Sequence, residues 1–140
     1  MFQKSLVAVA IALVCALPAL ADPPKEPPTA MVAIYHVAPG KHVDFLKWMA
    51  AREAVGKEAG LPAVQWYAHM DGDSWDYVAI APKLSDADTK KADELAKKKK
   101  GLKVGPMGGI EFRALIASHT DTVAAGPLSA AEILKAVTTP

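Results

Sequence analysis

Two β-prone stretches, Ala63 to Met70 (Ala-Val-Gln-Trp-Tyr-Ala-His-Met) and Trp75 to Ala81, are separated only by Asp71-Gly72-Asp73-Ser74. Aspartate, glycine and serine accept the tight backbone path of a turn that the flanking β-formers resist, so this pattern closes an antiparallel hairpin. The rest of the chain must be arranged around that hairpin. Upstream, Met31 to Ala38 carries Val32, Ile34, Tyr35 and Val37 and ends at Pro39-Gly40, which reads as a first strand.

Between them, Lys41 to about Ala59 repeats Phe45, Leu46, Met49, Ala50 and Ala54 at helical spacing, with Lys47, Glu53, Lys57 and Glu58 free to face water. That is an amphipathic helix, stopped by Gly60 and Pro62. Downstream of the hairpin, Ser85 or Asp86 can cap a second helix with Asp88 in its first turn and Lys97 to Lys100 in its last, placements that suit the helix dipole. Gly105-Pro106-Met107-Gly108-Gly109 reads as a flexible connection, and Ile110 to Thr122 as the final β-prone region, with Phe112, Leu115 and Ile116. Past Gly126-Pro127, Ser129-Ala130-Ala131-Glu132 is a capping box opening a short apolar helix through Ile133, Leu134 and Val137, able to dock on the body or on a second subunit.

The order β-α-β-β-α-β is the split βαβ, ferredoxin-like arrangement: an α+β fold with an antiparallel sheet and both helices on one face. The other sheet face then needs a cover, and a second copy of the chain is the simplest one.

The N-terminal segment is of a different kind. Lys4 precedes an apolar run from Leu6 to Leu17, followed by Pro18 and Ala19-Leu20-Ala21, the pattern of a secretory signal peptide. The run is shorter than the roughly 20 apolar residues of a membrane-spanning helix, and the prolines from Pro23 to Pro28 cannot continue it, so no stable anchor is expected after cleavage. The expected organisation is a signal peptide over 1–21, a proline-rich spacer over 22–30, an α+β domain over 31–124 and a C-terminal tail helix over 125–140, in a periplasmic or secreted protein. Cleavage removes Cys15, the sole cysteine, leaving neither disulfide nor thiolate. Lys4 is one of 16 basic residues, and its loss leaves as many bases as the 15 acids. A neutral chain of this kind offers no general support for nucleic-acid or anionic-membrane binding.

From about Met31 to Thr122 the chain resembles the dimeric α/β-barrel superfamily, in particular its small antibiotic-biosynthesis-monooxygenase-like members. The likeness rests on Val37-Ala38-Pro39-Gly40-Lys41 leading from strand to helix, on the helix carrying Phe45 and Trp48, and on the aromatic hairpin Gln65-Trp66-Tyr67. It implies a homodimer that pairs two sheets into a barrel, with a cavity between each sheet and its helices for a small aromatic or polyketide-like molecule. Some branches hold haem there. The haem-degrading branch is expected to carry an Asn, Trp and His set, and this chain has no asparagine, so that mechanism does not transfer.

Histidine titrates near neutrality and binds metals, which makes His36, His42, His69 and His119 the residues to place. By strand alternation His36 shares a side with Val32 and Ile34, His69 with Gln65 and Tyr67, and His119 with Arg113, Leu115 and Asp121. If the sides meet, a pocket would combine Gln65, Tyr67, His69, Arg113 and His119. An enzyme built on it would carry out cofactor-independent oxygenation or isomerisation, with His69 or His119 moving a proton and Trp66, Tyr67 and Arg113 positioning the substrate. The same side chains also suit a wet sheet face in a non-catalytic interaction module. His69, His119 and Asp121 could serve a metal or haem, but no ligand spacing such as His-Glu-x-x-His supports one, and the leading reading needs no cofactor. Asp71, Asp73 and Asp76 lack the remaining ligands of a calcium loop and read as turn residues.

Overall fold

The computed structural model describes residues 28–99 and 101–139; the expected signal peptide, Cys15 and most of the spacer lie outside them. The elements are β1 (Thr29–Val37), α1 (His42–Glu58), β2 (Gln65–Ala68), β3 (Tyr77–Pro82), α2 (Asp86–Lys98), α3 (Gly105–Arg113), β4 (Ile116–Ala125) and α4 (Ala130–Thr138). The sheet order is β2-β3-β1-β4 with every neighbour antiparallel. This is the ferredoxin-like α+β fold, with one helix inserted before the last strand.

Local chemistry accounts for the boundaries. Gly40 and Gly60 turn the chain at both ends of α1 with φ of 76° and 75°, a left-handed conformation that costs glycine nothing. Ser85 caps α2 by accepting the Asp88 amide, and Ser129 and Glu132 form the expected capping box on α4. Lys91 of α2 donates to the Ala59 carbonyl at 2.6 Å, satisfying one of the orphan acceptors at the end of α1 and tying the two helices together. The Asp73 carboxylate accepts the Ser74 amide at 2.6 Å, the chemistry of a turn.

Asp76 does more than turn the chain. The β1–β4 register shifts between His36 and Val37, and there the freed Val37 amide donates to the Asp76 carboxylate at 2.6 Å, while the Asp76 amide donates to the Tyr35 carbonyl. The bulge is thereby left without an orphan donor.

The segment after α2 departs from expectation. Gly105 to Gly109 is not a connection but the first half of α3, and Phe112 and Arg113 belong to that helix rather than to β4, which runs on to Ala125. Pro106 in the first turn presets the helical φ, which offsets the poor helix propensity of three glycines. Gly108 is required by close approach: a Cβ there would stand 2.6 Å from the Lys103 carbonyl oxygen and 2.9 Å from the Arg52 guanidinium.

Register assigns the two sheet faces. Ala33 pairs with Ala79 and Asp121, Tyr35 with Tyr77 and His119, and Trp66 with Ala79, so these residues share the face beneath the helices. Val32, Ile34, Val78, Ile80, Gln65 and Tyr67 share the opposite face, which no element among the described residues covers. Tyr67 is 51% exposed there. Nor does α4 dock on its own subunit: none of its residues is buried, and Val137 is 75% exposed.

Candidate functional site

The layer between sheet and helices is built unevenly. At one end, aromatic rings fill it. Phe45 of α1 is fully buried, 5.2 Å from Tyr35 and 5.6 Å from Tyr77 between ring centroids, and Phe112 of α3 approaches Tyr35 at 6.2 Å. Trp66 stacks on Tyr35 at 5.8 Å and is held in place by its indole N–H, which donates to the Glu53 carboxylate.

At the other end the facing side chains are small. Ala33, Ala79 and Ala81 on the sheet face Ala50 and Ala54 on α1, with Ala92 of α2 near them. Alanines cannot span the distance that Phe45 imposes between α1 and the sheet. The result is an open-sided cavity of about 850 Å³. Its end wall is Tyr35 and Trp66; Met31, Met49, Leu61 and Leu84 close its flanks. Arg52, Glu53 and Lys57 supply its charges. Ligand sites of about 300–1,000 Å³, mostly apolar with a few placed polar groups, are the common pattern.

Arg52 is held from several sides. Its guanidinium lies 3.8 Å from the centre of the Trp48 ring, and Nη2 donates to the Lys103 carbonyl at 2.6 Å. Burial pulls its pKa below the ordinary arginine range, while Asp93 and Glu111 favour the charged form. Glu111 itself is paired with Lys103 at 2.9 Å and sits below the usual carboxylate range, chiefly because of that bond.

The residues singled out from the sequence do not converge. Gln65 and Tyr67 lie on the uncovered sheet face, whereas His119 and Asp121 lie beneath the helices. His69 stands just past β2 with its ring 5.1 Å from Trp75, and its Nε2 is buried without a partner among the described residues. Arg113 ends α3 and is exposed, so the expected strand side shared by Arg113 and His119 does not exist. The physical reason is the unexpected helix: alternation in β4 begins at Ile116 and cannot be counted back through Arg113. Trp66 and His119 share the face beneath the helices, and the strand order places them on opposite sides of Tyr35.

On that far side, His119 Nε2 pairs with Asp121 Oδ2 at 3.3 Å, and the imidazole stacks on Tyr35 at 6.3 Å. The Tyr35 phenol is pushed up to about 12, by burial first and by the Asp121 carboxylate second. His119 is not part of the cavity wall. Among the described residues no group of three or more His, Cys, Asp or Glu side chains could hold a metal ion, and no helix is long and apolar enough to cross a membrane.

The cavity residues Ala50 and Ala54 are not legible as a site because the helical stripe of α1 reads as core from sequence. The cue that was available is size: the stripe passes from Phe45 to alanines in two turns.

No protein-family model matches the chain, and no curated protein does. Among solved structures it is similar to SnoaB, a cofactor-independent oxygenase from Streptomyces nogalater, at 17% identity and a TM-score of 0.48, over 74% of this chain and 97% of that one. A protein from Agrobacterium tumefaciens is similar at 15% identity and a TM-score of 0.49, over 73% and 97% of the two chains. A dimeric protein of unknown function and ferredoxin-like fold from Bacteroides fragilis is similar at 10% identity and a TM-score of 0.42, over 70% and 95%. These likenesses concern the path of the chain and do not extend to chemistry.

Proposed function

We propose that this chain is an exported, homodimeric protein that binds a small apolar or aromatic molecule between its sheet and helices. The observation that carries the reading is the cavity of about 850 Å³, walled by alanines and closed by the stacked rings of Trp66 and Tyr35. Stacked aromatic walls favour planar ligands through dispersion and quadrupole contacts. Export rests on the leader pattern before Asp22.

Dimerisation rests on the uncovered sheet face. Val32, Ile34, Val78 and Ile80 form a contiguous apolar patch at its centre, the kind of surface that marks an interface. Replacing Val78 with Asp places an unpaired charge in that patch and should weaken the dimer by more than about 100-fold, leaving the cavity intact. Sedimentation of V78D as a dimer at the wild-type concentration range would remove the sheet face from the proposal.

Binding outranks catalysis in this reading. A cofactor-independent oxygenase or isomerase would use His119, oriented by Asp121, as its proton acceptor, yet Tyr35 stands between that imidazole and the cavity. His69, Gln65 and Tyr67 are farther still, on or beyond the opposite sheet face. An interaction module is the second reading, favoured by the exposed apolar residues Ile133, Leu134 and Val137 of α4.

The test is titration with 2-naphthol, followed by tryptophan fluorescence. Ala54→Trp fills the cavity from an exposed helix position, so it should reduce affinity at least about tenfold while leaving thermal stability near the wild-type value. Absence of binding by the wild type, or unchanged binding by A54W, overturns the cavity as a ligand site. Native mass spectrometry of protein recovered from an exported preparation then reports cleavage, dimer and retained ligand in one spectrum.

A further inference from the structure

Glu53 is the one carboxylate of the cavity wall among the described residues. Arg52 commits its guanidinium to the Trp48 ring and the Lys103 carbonyl. Lys57 follows Glu53 by four residues on α1, the spacing at which the two would pair, yet Lys57 forms no ion pair among the described residues. Glu53 instead accepts the Trp66 indole N–H on Oε1, and both partners of that bond belong to the cavity wall. Its other oxygen, Oε2, accepts no hydrogen bond among the described residues. Unlike Trp48 Nε1, Arg52 Nε and His69 Nε2, that oxygen is not sealed from solvent.

The carboxylate is held where the edge of a ligand would fall. An indole N–H points along the plane of its ring, so the group that accepts it stands at the rim of the indole and not over its face. Trp66 is itself fixed, stacked on Tyr35 at 5.8 Å and meeting Phe45 edge-on at 6.2 Å. A planar molecule lying against Trp66 therefore brings its own rim to Glu53. The acceptor is oriented before any ligand arrives, which lowers the cost of binding.

We infer that Glu53 is the specificity-determining residue of the cavity, and that the ligand carries on the rim of its apolar body a hydroxyl or N–H group that donates to Glu53 Oε2. This inference rests on the cavity being a ligand site, and it names the polar group that the site requires. A charged acceptor bonds a neutral donor roughly twice as strongly as a neutral acceptor does. A ligand of the same shape without a donor gains the apolar contacts but takes water from Oε2 and returns nothing, so it is disfavoured by the desolvation of the carboxylate.

The experiment compares 2-naphthol with 2-fluoronaphthalene, which keeps the ring system and has no donor, on the purified full chain by calorimetry at neutral pH. The expected result is a preference of about tenfold or more for 2-naphthol. Glu53→Gln keeps an oxygen for the Trp66 N–H and puts a neutral amide N–H where the free oxygen stood. The preference should then fall to about threefold while 2-fluoronaphthalene binds as before, which also reports that the cavity has kept its shape.

Equal binding of the two probes by the wild type overturns the donor inference and leaves the ligand site standing. Binding of neither probe overturns the ligand site itself. A full preference that survives in E53Q assigns the selectivity to another group and removes Glu53 from the proposal. If E53Q fails to fold or also loses 2-fluoronaphthalene, Glu53→Asp, which keeps the charge and draws the carboxylate back by one methylene, should retain less than half of the preference; full retention overturns the hydrogen bond to Oε2.

Discussion

The aromatic and alanine ends of the helix–sheet layer face the same strands and the same helix, yet one is filled and the other open. Phe45, Tyr35, Tyr77 and Phe112 meet at centroid distances of 5.2 to 6.2 Å and set the height of α1 above the sheet. Two turns along, Ala50 and Ala54 stand at that imposed height over Ala33 and Ala79 with nothing between them. The rigid end thus props open the other. The cavity follows from placing large side chains at one end of a stiff helix and small ones at the other.

The comparison can be broken at its anchor first. Phe45→Ala removes the one large side chain that is fully buried among the described residues and should cost about 3–5 kcal/mol, measured by urea unfolding. A cost below about 1 kcal/mol would mean that Phe45 does not hold the helix height. Enlarging residues should then have opposite effects at a buried position of α1 and at one that faces the cavity. Val55→Phe overfills a buried site and should cost about 1–3 kcal/mol, whereas Ala50→Leu extends into the cavity and should be neutral or stabilising by several tenths of a kcal/mol. Equal destabilisation by both would show that the cavity closes in solution.

The smallest effect is a titration at the aromatic end. Because the folded state raises the Tyr35 phenol to about 12, it holds that proton more tightly than the unfolded chain, whose tyrosine titrates near 10. The resulting stabilisation is fully present below about pH 10 and is lost as the pH rises through about 12. Discounted for solvent screening at the open side of the ring, it amounts to about 1 kcal/mol. Urea midpoints compared at pH 9 and pH 11.5 should fall further for the wild type than for Tyr35→Phe. Parallel falls would mean that folding does not raise the Tyr35 phenol.

Much of the fold was legible because its signals are local. Turn residues between two β-prone runs, glycines past a helix end, and a serine three residues before a glutamate act within one or two turns of chain, and the hairpin, α1 and the caps of α2 and α4 appear where those residues stand. The exception was α3, where three glycines hide a helix that Pro106 starts and tight packing against Lys103 and Arg52 completes. That misreading carried Arg113 onto a strand and aligned it with His119.

The candidate site was far less legible, because it depends on what lies across from each residue. Alternation along β2 puts Trp66 opposite in sense to Gln65 and Tyr67, but only pairing with β3 and β1 decides which sense faces the helices. By itself the sequence determined the order of the elements other than α3, the caps of α2 and α4, the expected leader and an apolar stripe on α1. The tertiary structure alone decided that the stripe's alanines meet alanines, that Glu53 goes to Trp66, and that Arg52 keeps an unbonded donor. Side-chain size and charge are written in the chain, whereas their complement is supplied by residues distant in sequence that only packing brings near.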